Sequence, residues 1–389
     1  MLSSALAQEI ASDTTAVIGF NVLITDDEGL VIGSGDQRRV GTFHEASVDV
    51  MRTHEPVWHT SAQAHELRGV RQGVTLPLVI DGVAVGTVGI TGAPQRVRRF
   101  GLVVRRQTEI LLQESATLRS RLLREHAVEQ LVRDIAAFDA ELVEPELLVF
   151  RAGELGYDLR LSRSCVVVEV TAGTRHGSTD VEALRSELLR TVRETFGDPQ
   201  DVTATLAPGR FAVLHRAAAD EGALSGSCER LADVVGRRHR LRLRIGVGAP
   251  AETVQELHDS YQDASDALRL GRRVEPDGRV HAIADLRLHQ VLGAVGHRTR
   301  TRFAGLVAGS LTSQPDWPVL RETVVAWCES GLNLVRAAAD LHVHRNTLVY
   351  RLDKIERLTG TALRGRRASL TLYLACLAAD LGGPGDSRR

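Results

Sequence analysis

The sequence predicts two α/β domains followed by an all-α domain. Three patterns carry that expectation. Residues 17–92 alternate strand-like apolar runs with glycine turns. Residues 102–138 form a stretch free of Pro and Gly with helical apolar spacing. Residues 333–359, NLVRAAADLHVHRNTLVYRLDKIERLT, read as two short helices joined by a tight turn.

In the N-terminal part, the runs 20–25 and 30–34 flank Asp26-Asp27-Glu28-Gly29, a hairpin signal. The runs 76–80 and 83–91 flank Asp81-Gly82, the dipeptide favoured where a two-residue turn needs positive φ. Residues 42–52 between these hairpins read as a helix. An antiparallel sheet with helices packed on it is the simplest assembly, the layout of PAS- or GAF-like sensor modules. Over 102–138, Leu111, Leu118, Leu122, Leu131, Val132 and Ile135 supply the apolar stripe of one long linking helix. The seven-residue step from Leu111 to Leu118 suits a dimerising coiled coil, although Glu125 falls on the next seam position.

A second α/β pattern follows. Residues 165–170 read as a buried strand, 181–196 as a helix, and 203–206 with 211–215 as a hairpin around Ala207-Pro208-Gly209-Arg210. A helix over 229–238, a strand over 241–247 and a helix over 253–270 complete a β-α-β-β-α-β-α order. From about residue 286 the chain reads as helical. The expected domains are 1–138, 139–290 and 291–382, with a disordered tail over 383–389.

In the C-terminal pair, Leu334, Ala338 and Leu341 mark the buried face of the first helix, with Asn333 as N-cap. Leu348, Leu352 and Ile355 do the same for the second, across a three-residue turn. His344, Arg345, Asn346, Thr347, Tyr350, Arg351 and Lys354 then form a polar, cationic surface. Arg and Asn at the start of such a helix suit paired hydrogen bonds to guanine and adenine in a major groove. A solvated helical hairpin is the bland alternative.

Composition supports a local nucleic-acid patch and no global cationic field, because the net charge is −1 over 389 residues. Arg345, Arg351, Lys354, Arg357, Arg364, Arg366 and Arg367 make that patch, opposed only by Asp353 and Glu356. Lys354 is the single lysine among 48 Lys and Arg residues, which reflects genome composition and carries no functional weight. The four cysteines, Cys165, Cys228, Cys328 and Cys376, have no CxxC spacing and read as reduced, mostly buried thiols. No signal pattern opens the chain and no apolar run nears a membrane span, so a cytoplasmic protein is expected.

At this point the chain resembles a known family, the carbohydrate diacid regulators, transcription factors for sugar-diacid and glycerate use. The resemblance rests on GSGDQRRVGTFHEA (33–46), GVRQGVTLPLVIDGVAVGTVGITGAP (69–94) and HVHRNTLVYRLDKIERLTG (342–360), the last shared with purine-catabolism regulators. It implies a sensor that binds a small carboxylate, and a helix-turn-helix that binds operator DNA. A hydroxylated diacid needs cations or N–H dipoles for its carboxylates and polar groups for its hydroxyls. Arg39, His44 and Arg71 are the cations available in the matching motifs, with Ser34 and Thr75 as hydroxyl partners. Gly41 and Gly73 would let backbone N–H groups approach the ligand. An Arg in a glycine-rich loop can equally be a solvated or structural side chain, and His44 at a helix start can cap or pack.

The middle domain is similar to a degenerate GGDEF-like fold. Its equivalent of the acidic hairpin is Ala207-Pro208-Gly209-Arg210-Phe211, without a carboxylate, and Glu169 is a lone acid. Two-metal phosphoryl transfer needs paired ligands. GxSxG, HExxH and phosphate-loop patterns do not occur in the sequence, so no catalytic residue, metal or cofactor is expected. His54, His59 and His65 read as solvated side chains. The expected function is a ligand-responsive regulator, an activator and homodimer, taking glycerate-, glucarate- or galactarate-like effectors. The alternatives are a regulator with a purine or amino-acid effector, or a nucleotide-binding signalling protein using the middle domain.

Overall fold

The computed structural model describes residues 3–173, 181–216, 221–363 and 365–382, which divide into two compact units, 1–124 and 125–389. Arg364 of the basic patch and the tail 383–389 lie outside the described residues.

In the first unit, α1 (Ser4–Ile18), β1 (Val22–Thr25) and β2 (Val31–Ser34) precede a 3-10 turn (Gln37–Arg39) and α2 (Glu45–Thr53). There follow β3 (Val57–His59), α3 (Ser61–His65), β4 (Gly73–Ile80), β5 (Val83–Thr91) and α4 (Pro94–Ala136), whose residues from 125 on belong to the second unit. The five strands form an antiparallel sheet in the order β2-β1-β5-β4-β3. Both expected hairpins form. Asp81 and Gly82 take φ of 49° and 82°, the left-handed pair a two-residue hairpin turn demands.

Strand alternation gives the sheet two unlike faces. Val22, Ile24, Ile32, Val74, Leu76, Leu78, Val88 and Ile90 pack with Ala7, Ile10, Val97 and Val104 of the helices. Apart from Leu23 and Pro77, the intervening residues on the other face are small or polar. In register these are Leu23, Ser34, Gly89 and Thr75 in one row, Thr25, Thr87 and Pro77 in a second, and His59, Gly73 and Thr91 in a third. A 2.7 Å hydrogen bond between Ser47 Oγ and Thr87 Oγ1 fixes α2 over this polar face.

Helix α4 starts at Pro94, eight residues before the expected start. Proline lacks only an N–H that the first turn leaves unbonded, so it opens a helix without cost. Gly101 lies inside the helix, between Val97 and Val104, whose burial against the sheet holds that stretch. The expected continuous apolar stripe is not continuous: Leu131, Val132 and Ile135 are buried, whereas Leu118 and Leu122 are exposed.

The second unit continues with α5 (Pro145–Glu154), β6 (Arg163–Gly173), α6 (Val181–Phe196), β7 (Val202–Ala207), β8 (Arg210–Arg216), α7 (Glu221–His239), β9 (Leu241–Ala251), α8 (Val254–Val274) and β10 (Val280–Ala282). Its sheet order is β10-β9-β6-β8-β7, with only β10 and β9 parallel. Cys165 and Val167 of β6 face the core shared with α5 and α8, and Val166 and Val168 face that of α6 and α7. Thr253 closes a capping box with Glu256 at the start of α8.

Six helices complete the unit: α9 (Ile283–Ala294), α10 (His297–Thr312), α11 (Trp317–Glu329), α12 (Leu334–Asp340), α13 (Arg345–Thr359) and α14 (Arg366–Asp380). They bury Leu311, Leu320, Val324, Ala337, Leu348, Ile355 and Leu372 in one core. Asp380 ties α14 to α11 by accepting two bonds from Arg321, at 2.6 and 2.5 Å. No helix among the described residues is long and apolar enough to cross a membrane.

Candidate functional site

The C-terminal hairpin forms largely as its sequence dictates. Asn333 Oδ1 accepts from the N–H groups of Val335 and Arg336 at 3.0 and 3.1 Å, capping α12. Leu348, Leu352 and Ile355 are buried, which leaves the opposite side of α13 facing outward. Two details differ from expectation. Ala337 and Ala338 make the buried face of α12, with Leu334 and Leu341 only half-buried, because small residues let α12 approach its neighbours closely. The turn holds four residues, 341–344, rather than three, because His344 serves as N-cap of α13 and its Nδ1 accepts from Asn346 N–H at 3.2 Å.

Arg345, Asn346 and Thr347 are exposed in the first turn of α13, and Tyr350 is 63% exposed one turn later. Arg351 is half-buried. Lys354 stands apart from this set. Its Nζ bonds Asp316 Oδ2 at 2.7 Å at the start of α11, and the ammonium holds that carboxyl below the usual range. The exposed cationic start of the helix therefore rests on Arg345 and Arg351. Glu356 turns inward, accepting from Leu363 N–H at 2.6 Å.

Some of the residues expected to bind a ligand lie on the polar face of the first sheet. Arg39 leaves the 3-10 turn and is 5% exposed. Its Nη2 donates to Gly69 O at 2.6 Å and its Nη1 lies 3.5 Å from Thr91 Oγ1. Burial, aided by Arg71, pulls its pKa down to about 10, against a smaller opposing effect of Asp36. Gly69 lets the carbonyl come this close: its φ is +72°, and a Cβ there would stand 1.9 Å from Phe43 O.

Asp36 bonds Arg38 at 3.0 Å and Arg71 at 3.3 Å instead. Among the described residues Arg39 is thus a buried cation hydrogen-bonded to neutral oxygens. A guanidinium has five N–H donors, and its burial without an anion is costly.

His44, 3% exposed, is the N-cap residue of α2 without a capping bond from its side chain. Its Nδ1 meets Ser47 Oγ at 2.7 Å, and the chain runs on through Thr87 Oγ1 to Thr25 Oγ1 at 2.9 Å. Burial first, then the positive charges of Arg39 and His59, push its pKa down to about 3. The imidazole is therefore neutral near pH 7.

Arg39 lies within electrostatic reach of both Arg71 and His44, and Thr75 lies on the same sheet face. Two other expected contacts are otherwise engaged. The N–H of Gly41 donates to Val31 O at 2.8 Å, which removes it as a ligand donor. Gly73 is a strand residue whose Cβ would strike Ile90 O at 2.1 Å, so it serves sheet packing. Ser34 is also drawn into a network. Its Oγ lies 3.4 Å from Asn21 Oδ1 and its backbone exchanges bonds with Gln8 of α1.

Thr91 and His59 join the cluster unforeseen, and His59 is half-buried where solvent was expected. The period-two run Thr87, Gly89, Thr91 in β5 carried the signal for that face. In the middle domain, Glu169 is committed to an ion pair with Arg272, and Arg210 occupies the turn where an acidic residue would be needed. No group of three or more His, Cys, Asp or Glu arranged to hold a metal occurs among the described residues.

Three family models match the chain in order: "Putative sugar diacid recognition" over residues 2–135, a GGDEF-like domain over 140–270, and the PucR C-terminal helix-turn-helix domain over 320–378. The chain is 29% identical over 380 residues to the carbohydrate diacid regulator of Escherichia coli (strain K12), covering 96% of this chain and 97% of that protein. The chain resembles the carbohydrate diacid regulators along nearly its whole length.

It is also 26% identical to an uncharacterized protein, YsfB, of Bacillus subtilis (strain 168), over 97% of this chain and 98% of that one. Among solved structures, a regulator of polyketide synthase expression from Bifidobacterium adolescentis aligns at 17% identity, covering 66% of this chain and 98% of its own. Its TM-score of 0.29 is too low to argue from. The mixed α/β organisation, the sugar diacid recognition domain and the C-terminal helix-turn-helix thus stand on residue matches as well as geometry.

Proposed function

We propose that the protein is a cytoplasmic transcriptional regulator, an activator of sugar-diacid or glycerate utilisation genes. It reads operator DNA with α13 and a small hydroxylated carboxylate with its N-terminal, PAS/GAF-like domain. The observation that carries this reading is the outward face of α13. Arg345, Asn346 and Thr347 are exposed in its first turn while Leu348, Leu352 and Ile355 anchor the opposite side. His344 supports that turn as N-cap, and Tyr350 and Arg351 extend the surface toward the DNA backbone.

Arg39, buried without a carboxylate partner, is the proposed seat of an effector carboxylate, since a bidentate acid would satisfy donors that neutral oxygens leave unused. Arg71, His44 and Thr75 complete the proposed pocket, and Ser34 supports it from the Asn21 side. Functionally the chain divides at 1–138, 139–290 and 291–382: sensor with signalling helix, non-catalytic GGDEF-like relay, and DNA-binding domain. A homodimer would place two copies of α13 on two half-sites, because one hairpin alone reads few base pairs.

Footprinting on promoter DNA tests the central part. Protection is expected over major-groove segments, and Arg345→Ala is expected to weaken it by about 1–3 kcal/mol at a guanine-containing position. Equal protection of all sequences by both proteins contradicts base reading.

A further inference from the structure

We propose that His59 is the residue by which the sensor reads the second carboxylate of its effector, making it selective for hydroxylated dicarboxylates over monocarboxylates of the same length. This rests on the reading of the polar sheet face as the effector site. The placement of His59 follows from strand geometry. Trp58, its neighbour on β3, turns to the α4 side, where Arg98 lies 5.8 Å from its ring centre. Strand alternation then turns His59 to the α2 side, with Arg39 and His44.

The register sets His59 opposite Gly73, and Gly73 opposite Thr91, the threonine that Arg39 reaches. Glycine places no side chain between the two ends of this row. The row spans two strand spacings, about 10 Å of backbone. An extended diacid with one carboxylate on Arg39 therefore presents its other end to His59. Both Arg39 and His59 depress the pKa of His44, so each lies within electrostatic reach of that imidazole.

Charge accounting favours His59 over Arg71 for this second end. Arg71 is half-exposed and already bonds Asp36. His59 has no such bond among the described residues; burial lowers its pKa, against a smaller raising effect of Asp49 of α2. An imidazole donates an N–H to a carboxylate whether or not the ring is protonated, and Thr91 at the far end of the row, with Thr75 two residues along β4 from Gly73, suits the hydroxyls of such a ligand.

The test is calorimetric titration of the full-length chain with glucarate and with gluconate, which differ in one terminal carboxylate. The wild type is expected to bind glucarate at least tenfold more tightly. His59→Leu, which has no N–H to offer, is expected to lose roughly 10- to 100-fold for glucarate, the value of one charge-assisted hydrogen bond, and to hold gluconate as before. His59→Phe, which keeps a flat ring without a donor, guards against an accident of one substitution and is expected to behave alike. A wild-type preference for glucarate that survives in both variants overturns the role of His59 and leaves the sensor site standing. Failure of the wild type to bind either acid overturns the site itself, and this inference with it.

Discussion

His44 gives the sensor domain a stability that depends on pH in a calculable way. Its folded pKa is depressed to about 3, because burial and the nearby Arg39 and His59 penalise the imidazolium. In the unfolded chain the ring titrates near the ordinary value of about 6.5. Below that pH the unfolded chain takes up a proton that the folded chain refuses, so stability falls as pH falls. Each unit is worth about 1.4 kcal/mol. Between pH 7 and pH 5 the contribution of His44 alone is therefore a loss of about 2 kcal/mol.

His44→Asn removes the titrating group and keeps a side chain suited to the N-cap position of α2. Hydrogen exchange of β4 and β5 peptides, followed against urea at both pH values, reads the stability of this unit by itself. The wild type is expected to lose about 2 kcal/mol more than His44→Asn over that interval. Equal losses would refute the placement of His44 as a buried, neutral ring.

The ion pair of Lys354 with Asp316 leads to a contrast within one helix. Lys354→Gln is expected to leave the salt dependence of DNA binding nearly unchanged, whereas Arg351→Ala lowers the slope of log K against log salt by about one if it meets a phosphate; fluorescence anisotropy over a salt series reads both. Asp380 accepts from Arg321 at 2.6 and 2.5 Å and lies 3.5 Å from the buried His289, so Asp380→Asn leaves a mostly buried guanidinium short of its anion. A loss of about 2–4 kcal/mol in urea denaturation of the second unit is expected, and a change under 0.5 kcal/mol would deny the pair its role.

Much of the fold was legible because local chemistry and tertiary demand agree. Asp81-Gly82 needs positive φ and lies between apolar runs, and Asn333 and Thr253 announce helix starts that the structure builds as caps. The start of α4 was not legible, because Pro94 and Gly101 are read as breakers when only their own propensities are counted. Pro94 escapes the penalty by standing in the first turn, and the burial of Val97 and Val104 on either side of Gly101 outweighs its own.

The site was legible in part. Arg39 and His44 stand out as cations in a loop, but burial decides which cation lacks a partner, and burial is long-range. Asp36 lies three residues from Arg39 yet is taken by Arg38 and Arg71. The solvated appearance of His59 in its polar stretch likewise disregarded the strand that turns it inward. Lys354 looked free because Asp316, its partner, is 38 residues away in sequence.

Ligand-responsive regulation requires coupling between the two ends of the chain. Operator affinity measured by anisotropy with and without saturating glucarate gives that coupling directly, as the ratio of the two dissociation constants. A ratio displaced at least fivefold from unity in the wild type, and returned to unity by Arg39→Gln, is the predicted result. A ratio of one in a wild-type protein that binds both glucarate and DNA would contradict it.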